Sequence, residues 1–504
     1  MQKTQTPIKK FVIVGGGTAG WLAGATLGNI FKHSDVEVEL IESEDVNIIG
    51  VGEATIPPLI DTLESLGIDL ANFISETQAS FKWGIKFEDW YKKGHSYFHP
   101  FGELGQRIDG HEFYQCWLTL KANGDNTPLM AYSPEAVLSQ HNRFFIPHQA
   151  MNTPLAGARF ALHLDAVLAG KYLCNFAQKI GVKRTVGHIE LVDKTVDGCI
   201  SSVTLTSGQT IAGDFFIDCS GFNSVLIGKA LNTNYLDWSE YLPCNRAVAV
   251  QTTLSEDIAP YTVSRAQEAG WSWHIPLQHR MGNGYVYSDK YISDEQATAT
   301  LMNNVSGKVL APPRVIPFKT GLREQVWNKN CLALGLAQGF LEPLESTAIH
   351  LVSKSLALFV RMFPTKQHNA VLQAEFNRRI HQDYAEIRDF LVLHYCTTQR
   401  SDSPFWRDWQ HRAIPQTLGQ RMTFFTQQGG LIPDVEALFQ ATSWYAVLDG
   451  MGVRPKGYNP TLDALDIDAL RKSLTMGRTA LEQCVLKQPS HAQFLHKYCP
   501  AKNL

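Results

Sequence analysis

The feature that most constrains the fold is a glycine-rich turn between a short strand and a helix near the start of the chain. Residues 15–20 read GGGTAG, a GxGxxG pattern, after an apolar, β-branched run at 11–14 and before a helical pattern at 21–31. A second strand is predicted at 36–41, and Glu42 closes it. The order strand, glycine turn, helix, strand predicts the Rossmann-like start of a dinucleotide-binding fold.

The turn residues have predicted roles toward a bound dinucleotide. Gly15 permits the tight turn, Gly17 lets the backbone approach a pyrophosphate, and Gly20 lets helix and strand pack closely. The helix then presents free N–H groups and its positive dipole end to the phosphates. Glu42 stands 22 positions after Gly20, where a carboxylate accepts from ribose hydroxyls. The predicted phosphate-side residues are Gly15, Gly17, Thr18, Ala19 and Gly20.

Two later segments favour FAD over NAD. Residues 218–221 (DCSG) end a predicted strand in a small-residue turn, and residues 332–339 (LALGLAQG) end another before a helix at Pro343. Leu336 and Ala337 lie in this second turn. It comes more than 300 residues after the first motif, which suits a cofactor reached from several sites, whereas a usual NAD domain completes its site in one stretch. The structural alternative is a core strand with a glycine turn.

Length and patterning divide the rest of the chain. At 504 residues it is too long for one compact core. A helix is predicted at 61–76, an antiparallel meander at 185–211 and further strands at 248–287, with helical periodicity dominant toward the C-terminus. We therefore predict a mixed α/β (α+β) fold, with an interleaved FAD-binding and β-sheet substrate module over 1–350 and a mostly helical module over 351–504.

Composition excludes several function classes. The net charge of −3 and the absence of a basic patch with interleaved aromatics argue against nucleic acid and acidic membranes as partners. The nine cysteines are well separated and form no CxxC pair, which indicates reduced thiols, and no metal-binding motif is present. The apolar run at 11–14 is too short for a signal peptide or a membrane span. We predict a cytoplasmic protein without a metal.

Further segments resemble flavin-dependent tryptophan halogenases, over residues 10 to about 455. One is similar to the family's flavin strap and implies that Ala54 and Thr55 contact the cofactor. Another matches the family's WxWxIP signature, and a third its active-site turn. The segments are 50–57 (GVGEATIP), 271–276 (WSWHIP), 340–347 (FLEPLEST), 389–395 (DFLVLHY) and 403–406 (SPFW).

The resemblance implies a reaction in which reduced FAD (FADH2) and O2 convert chloride or bromide into hypohalous acid, which then halogenates an electron-rich aromatic ring. The oxidant must reach the ring without direct oxygen transfer from the flavin. Bulky Trp271 and Trp273, with Ile275 and rigid Pro276, would form a wall between flavin and substrate. The structural alternative is a pair of core aromatics on one face of a strand.

The resemblance also implies the catalytic residues. Lys82 aligns with the family's catalytic lysine, and apolar neighbours would desolvate its amine and favour the neutral, nucleophilic form. A haloamine and hydrogen-bonded hypohalous acid both stay open, and Lys86, as a strand-edge lysine, is the internal rival. Glu345 aligns with the catalytic carboxylate, with a helix-start carboxylate as the alternative. Thr347 and Ala348 begin the next helix, whose N–H groups would bind a halide, although family members often carry glycine at Ala348.

The substrate contacts match the family only in part. Residues 98–102 (FHPFG) resemble the segment whose histidine and phenylalanine sandwich the indole ring, so His99 and Phe101 are candidate ring contacts. A plain surface loop is the alternative. Ungapped counting places Phe439 in the family's phenylalanine–tryptophan pair. These three residues form the predicted arene site.

The groups with which tryptophan-specific members bind an amino acid are not recognisable. Gln427 and Gln428 stand at the family's paired tyrosines, and Asp434, or Glu436 with a short gap, falls near its glutamate. A site built for charged groups discriminates between ligands by several kcal/mol. We therefore predict that free tryptophan is a poor substrate, and that indole, another small arene or a larger indole-containing molecule is halogenated.

Two other functions are compatible with FAD binding. An aromatic monooxygenase that hydroxylates its substrate gives no joint role to Trp271, Trp273, Lys82 and Glu345, and a non-catalytic flavin-binding protein does not require Lys82 or Glu345. No second glycine motif for NAD(P)H is evident, so a separate flavin reductase is expected to supply FADH2. Family members are often dimers, so the resemblance admits a homodimer.

Overall fold

A computed structural model describes residues 6–43, 52–254, 257–432 and 436–502 of the chain. The chain forms two compact units, and each is assembled from three separate segments. Unit 1 contains Met1–Gln78, Leu164–Ser239 and Phe318–Ala385, and unit 2 contains Ala79–His163, Glu240–Pro317 and Glu386–Leu504. The division into modules over 1–350 and 351–504 stays a prediction.

The strands are β1 (Lys10–Val14), β2 (Glu37–Glu42), β3 (Glu53–Ala54), β4 (Ser80–Lys82), β5 (Gly84–Glu88), β6 (Ser96–Pro100), β7 (Ala161–Leu164), β8 (Lys183–Val186), β9 (Ile189–Lys194), β10 (Ile200–Leu205), β11 (Thr210–Ala212), β12 (Phe215–Asp218), β13 (Tyr235–Asp237), β14 (Arg246–Thr252), β15 (Thr262–Ala266), β16 (Gly270–Pro276), β17 (Met281–Tyr287), β18 (Arg314–Pro317), β19 (Gly321–Arg323), β20 (Trp327–Asn328), β21 (Cys331–Ala333) and β22 (Gly339–Phe340). The α-helices are α1 (Thr18–Phe31), α2 (Pro58–Ser65), α3 (Leu70–Glu76), α4 (Phe113–Ala122), α5 (Pro134–Gln140), α6 (Ala166–Lys179), α7 (Asp294–Asn304), α8 (Ala348–Arg361), α9 (Ala370–Cys396), α10 (Pro404–Trp409), α11 (Gln416–Gln428), α12 (Ala441–Gly450), α13 (Ile467–Leu486) and α14 (His491–Tyr498).

Unit 1 is built around a six-stranded sheet in the order β20-β21-β12-β1-β2-β8. Strand β1 pairs in parallel with both β2 and β12, and β12 pairs in parallel with β21. Because β1 is covered on both faces, Phe11 to Val14 are all buried, which explains their uninterrupted apolar sequence. The antiparallel meander β9–β11 packs on this sheet through Val203 and Ile211. This sheet and meander confirm the predicted dinucleotide-binding α/β start.

Unit 2 is built around a seven-stranded sheet in the order β18-β14-β17-β16-β15-β5-β6. Most of its neighbours pair antiparallel, and β15 pairs in parallel with β5. Helix α7 packs on β14 and β17 through Ala297 and Leu301, both of which are buried. Beside this sheet, β4 pairs antiparallel with β7, with Ser80 opposite His163 and Lys82 opposite Ala161.

One local prediction was wrong. The predicted helix at 61–76 is two helices, α2 and α3, because Gly67 between them takes a φ of +73° and ends the first one. Strand β6, for which the sequence predicted no element, completes the edge of the seven-stranded sheet. Helices α8 to α14 confirm the helical character of the C-terminal region.

The described residues include no helix that is both long and apolar enough to cross a bilayer. All nine cysteines lie in the described ranges, and each is a free thiol.

Candidate active site and cofactor-binding turns

The first glycine turn is shaped by close backbone contacts. Gly15 has a φ of +112°, and a Cβ there would lie 2.2 Å from the carbonyl oxygen of Cys219. A Cβ on Gly20 would lie 1.8 Å from the carbonyl oxygen of Gly15, whereas a Cβ on Gly17 would meet no atom within 4 Å. Thus Gly15 and Gly20 close the turn, and the open space at Gly17, the N-cap of α1, suits a ligand that approaches the backbone.

The later turn at 335–337 lies against the start of α1. Strands β1, β12 and β21 are parallel neighbours, so their carboxyl ends meet at one edge of the sheet. Gly335 has a φ of +61°, and a Cβ there would lie 2.9 Å from the Cβ of Ala19. Leu336 and Ala337 follow in the same short 3₁₀ turn. The structure therefore brings the two predicted cofactor turns together, and the open space at Gly17 is compatible with a dinucleotide there.

Glu42 ends β2 at this edge of the sheet, and the strap segment follows it in the chain. The Glu42 carboxylate accepts from the Trp21 indole N–H at 3.1 Å and from the Arg184 guanidinium, so these partners fix its orientation at the end of β2. Of the strap, Gly50 and Val51 lie outside the described residues. Ala54 ends β3, and Thr55 is buried. Desolvation raises the pKa of Glu53, next to them, to about 7.

The predicted active-site turn is a buried 3₁₀ turn, Pro343–Glu345, which leads into α8. The Glu345 side chain has no exposed surface. Ser346, which the sequence analysis did not single out, has a φ of +60°, and this left-handed conformation is uncommon for a residue other than glycine. Thr347 is the N-cap of α8 and makes no side-chain cap hydrogen bond, and Ala348 is the first helical residue. The start of α8 is as predicted, and its first N–H groups are of the kind that bind anions.

The two tryptophans lie on one face of β16, as their spacing predicts. Their ring centroids are 6.1 Å apart, and both side chains are buried, as is Ile275. Gly284 of β17 lies opposite Trp273, and a Cβ there would fall 2.1 Å from the indole ring. Within the described part of the chain, the buried Trp273 indole N–H has no hydrogen-bond acceptor.

The structure separates Lys82 from its rival Lys86. Lys82 ends β4 and has no exposed surface, which is rare for lysine. Its amine lies 5.0 Å from the centroid of the Phe101 ring. The Lys86 side chain is 38% exposed, and its amine lies 2.8 Å from the Glu88 carboxylate. Lys86 is therefore an ordinary surface lysine in an ion pair.

The predicted ring contacts His99, Phe101 and Phe439 belong to one aromatic cluster in unit 2. The centroid of His99 lies 6.4 Å from that of Phe101 and 6.1 Å from that of Phe439. Phe439 stacks on Phe390 at 3.9 Å, and Phe390 meets Trp444 edge to face at 5.0 Å. His99, Phe101 and Phe439 are thus brought together as predicted, whereas Phe390 and Trp444 were not anticipated as members of this cluster.

Beyond Trp444 the cluster opens into a cleft of about 260 Å³. Its lining is apolar apart from Arg421, whose guanidinium lies 4.2 Å from the centroid of the Trp444 ring. Gln427 and Gln428 end α11 on the exposed surface, and Glu436 is exposed. Asp434 lies outside the described residues. The cleft is lined by Arg421, Phe424, Leu431, Ile432 and Trp444.

Known proteins of one family are similar to this protein over nearly the whole chain. The family model for tryptophan halogenase matches residues 10–467. A tryptophan 6-halogenase, SttH of Streptomyces toxytricini, is 33% identical over 96% of this chain and 97% of its own. Among solved structures, a flavin-dependent halogenase from Xanthomonas campestris aligns with a TM-score of 0.95 at 40% identity, covering 99% of this chain and 100% of its own. BrvH, a flavin-dependent halogenase from Brevundimonas sp. BAL3, aligns with a TM-score of 0.94 at 39% identity, covering 98% and 99%.

Proposed function

The chain belongs to the tryptophan halogenase family and is an enzyme of the flavin-dependent halogenase type, and on this premise we propose that it halogenates an electron-rich arene other than free tryptophan, with Lys82 as the residue that delivers the halogen. The observation that carries the proposal is the complete burial of Lys82 beside the aromatic cluster. An ammonium group is strongly hydrated, so its burial opposes folding and is retained mainly where a reaction uses it.

FAD is the cofactor that the family implies, and the glycine turns accommodate it. Gly17 leaves the start of α1 open, and the turn with Leu336 and Ala337 contributes further backbone beside Ala19. When bound in its reduced form with O2 and chloride or bromide, FAD would supply hypohalous acid. The N–H groups that begin α8 at Thr347 and Ala348 would bind the halide.

Lys82 and Glu345 would then act on the oxidant and the ring. The Lys82 amine would either form a haloamine or donate a hydrogen bond to hypohalous acid, and in both cases the halogen is presented at the face of the aromatic cluster. Glu345, which is buried, would orient the electrophile or accept the proton that the ring loses. Trp271 and Trp273 would keep the arene away from the flavin, so that the halogen and not an oxygen atom is transferred.

The residues of the predicted arene site suit an aromatic ring better than the charged groups of a free amino acid. His99, Phe101 and Phe439 offer ring faces and edges, which suit an indole or a similar arene. Gln427 and Gln428 stand at the positions of the family's paired tyrosines, and both are exposed. We infer that the site lacks the contacts with which the family binds an amino acid. We infer that bare indole or an indole derivative is preferred, that a separate reductase supplies FADH2, and that the enzyme acts in the cytoplasm; the family resemblance admits a homodimer.

One assay tests the proposal. The enzyme is supplied with a flavin reductase, FAD, NADH, O2 and either chloride or bromide, and is offered indole, other small arenes, larger indole derivatives and free tryptophan in parallel. Mass spectrometry should find halogenated indole or arene and little halogenated tryptophan. Hydroxylated products without halogen would identify an aromatic monooxygenase instead, and efficient turnover of free tryptophan would refute the substrate assignment.

A further inference from the structure

A chain of buried hydrogen bonds runs beside Lys82 in unit 2. The Nδ1 atom of His163 lies 3.1 Å from Ser80 Oγ, and its Nε2 atom lies 2.9 Å from Thr262 Oγ1. The Ser80 hydroxyl also donates to the carbonyl oxygen of Pro276. His163 and Ser80 are completely buried, and Thr262 is 5% exposed. The chain thus connects β4, which carries Lys82, with the end of β16, which carries the two tryptophans.

The partners fix the direction of each hydrogen bond. A carbonyl oxygen only accepts, so the single hydrogen of the Ser80 hydroxyl is directed to Pro276. Ser80 Oγ must then accept from His163 Nδ1, which carries the proton of a neutral ring. His163 Nε2 is left as the acceptor, and the Thr262 hydroxyl donates to it. In a neutral ring these bonds therefore require the Nδ1–H tautomer of His163, and each member of the series then has a partner.

A second buried histidine binds the same strand through the backbone. The N–H of Phe81 donates to His491 Nε2 at 3.1 Å, and His491 Nδ1 lies 2.8 Å from the carbonyl oxygen of Ile258. Because that carbonyl only accepts, His491 is also the neutral Nδ1–H tautomer. His491 begins α14 and lies beyond residues 10–467, which the family model matches.

The electrostatics agree with two neutral rings. Burial lowers the pKa of His163 well below its usual value, and the charge of Lys82 and the nearby His491 lower it further. Burial likewise lowers the pKa of His491 to about 4. A proton on His163 would add a positive charge near Lys82, and a proton on His491 would turn its accepting Nε2 atom into a donor that faces the Phe81 N–H.

We propose that His163 and His491 are positioning residues that together clamp the Lys82 strand, His163 through the Ser80 side chain and His491 through the Phe81 backbone. Ser80 and Lys82 are two residues apart on β4, so their side chains share one face, and the bond from Ser80 to Pro276 sets that face against the end of β16. The clamp holds the amine where it intercepts hypohalous acid before the oxidant escapes. This role rests on the function proposed for Lys82.

The functional test compares substitutions that differ by one hydrogen bond. Thr262→Val removes the donor to His163 and keeps the shape, and Thr262→Ser restores the hydroxyl. His163→Asn keeps a donor at the Nδ1 position, and His163→Leu removes it. Halogenated arene, hydrogen peroxide and free hypohalous acid are each measured per NADH consumed. The readout is the amount of halogenated arene divided by the sum of the other two products.

We expect this ratio to fall about tenfold to a hundredfold in Thr262→Val and His163→Leu, which is the scale on which a misplaced catalytic group is felt, and to recover in large part in Thr262→Ser and His163→Asn. Free FADH2 from the reductase also forms hydrogen peroxide with O2, so the variants are compared at equal concentrations of folded, FAD-binding enzyme, and a loss of folded protein then does not change the ratio. A wild-type ratio in Thr262→Val would overturn the role of the clamp.

Two measurements decide on the clamp itself without any turnover. Nitrogen NMR of histidine-labelled protein, with His163→Asn and His491→Gln for assignment, should show both rings as neutral Nδ1–H tautomers at pH 7.5. Hydrogen exchange of the peptide that contains Phe81 should be faster in His491→Ala than in wild type, and His491→Gln, which retains an acceptor near the Nε2 position, should restore the protection. A charged ring, an Nε2–H tautomer or unchanged exchange in His491→Ala would refute the clamp. If the wild-type enzyme halogenates no arene, the proposed function fails, while these two measurements still decide whether the clamp exists.

Discussion

The amine of Lys82 lies 5.0 Å from the centroid of the Phe101 ring, in a position with no exposed surface. Lys86, four residues later, forms an ion pair with Glu88 at the surface instead. We expect Lys82→Met to lower the rate of arene halogenation by more than about a hundredfold, since the loss of a positioned catalytic group costs this much or more. The rate of halogenated product formation, at saturating arene and halide, measures the effect.

Lys86→Met is the matched control for this substitution. It removes one amine from the neighbouring strand and breaks only an ion pair that solvent partly screens, so the free energy of unfolding should change by no more than about 1 kcal/mol. The halogenation rate should stay within about twofold of wild type. Retained halogenation in Lys82→Met would remove Lys82 from the mechanism, and loss of halogenation in Lys86→Met alone would assign its role to Lys86.

Gly284 provides the space that the Trp273 ring occupies. A Cβ at position 284 would fall 2.1 Å from the indole, and both residues lie in the interior of paired strands. Gly284→Ala should therefore lower the free energy of unfolding by about 1–3 kcal/mol through overpacking. It should also raise the share of NADH consumption that ends in hydrogen peroxide, because the displaced indole no longer closes the wall. Urea unfolding and a peroxide assay measure the two effects.

The double substitution Trp273→Phe Gly284→Ala separates overpacking from other effects of the added methyl group. A phenyl ring is smaller than an indole, so Gly284→Ala should be less destabilising when it is combined with Trp273→Phe than when the tryptophan is present. We expect a coupling free energy of at least about 0.5 kcal/mol between the two positions. Additive effects would mean that the added methyl group acts on the strand and not on the indole ring.

Much of unit 1 could be predicted because its local signals agree with its tertiary contacts. The run from Phe11 to Val14 is apolar because parallel strands and packed layers bury both of its faces. Gly15 and Gly20 leave no room for a side chain, as the tight turn predicted from the glycine pattern requires. The start of α8 at Ala348 was predicted from the same kind of local signal, a proline-containing turn before a helical pattern.

The surroundings of Lys82 could not be predicted because they come from distant parts of the sequence. His163 and His491 carry no motif, and they approach β4 only through strand pairing and through the packing of the last helix. The break between α2 and α3 depends on the left-handed conformation of Gly67, which a glycine permits but does not impose. Strand β6 forms at a sheet edge, where its aromatic residues meet partners from α9 and α12.

His491 should make the stability of the protein depend on pH. Burial lowers its pKa in the folded state to about 4, whereas an unfolded histidine titrates near pH 6.5. Its contribution to stability is therefore fully present above about pH 6.5 and is lost as the pH falls toward 4, by about 1.4 kcal/mol per pH unit and about 3 kcal/mol in all. His491→Gln should remove this slope from the difference between urea unfolding free energies measured at pH 7.5 and pH 5.

The exposed His141 serves as the control for this pH effect. His141→Gln should leave the difference between pH 7.5 and pH 5 within about 0.5 kcal/mol of the wild-type value, as expected of a surface substitution. Other buried groups also contribute to the wild-type difference, among them Glu135, whose pKa burial raises to about 7 and whose contribution therefore declines as the pH rises. Only the difference between wild type and variant is assigned to His491, and an unchanged slope in His491→Gln would contradict its neutral, buried state.

Arg421 should distinguish arenes that carry a carboxylate from those that do not. Its guanidinium lies 4.2 Å from the centroid of the Trp444 ring, and it contributes the one cationic side chain in the lining of the cleft, as far as the described residues define it. A carboxylate on a short chain attached to indole would meet this cation in a partly exposed pair, which is worth about 0.2–1 kcal/mol. Arg421→Met should therefore lower kcat/KM for indole-3-propionate by up to about fivefold and leave kcat/KM for indole unchanged, whereas Arg421→Lys should retain most of the preference. An equal loss for both substrates would show that Arg421 supports the Trp444 ring and does not recognise the carboxylate.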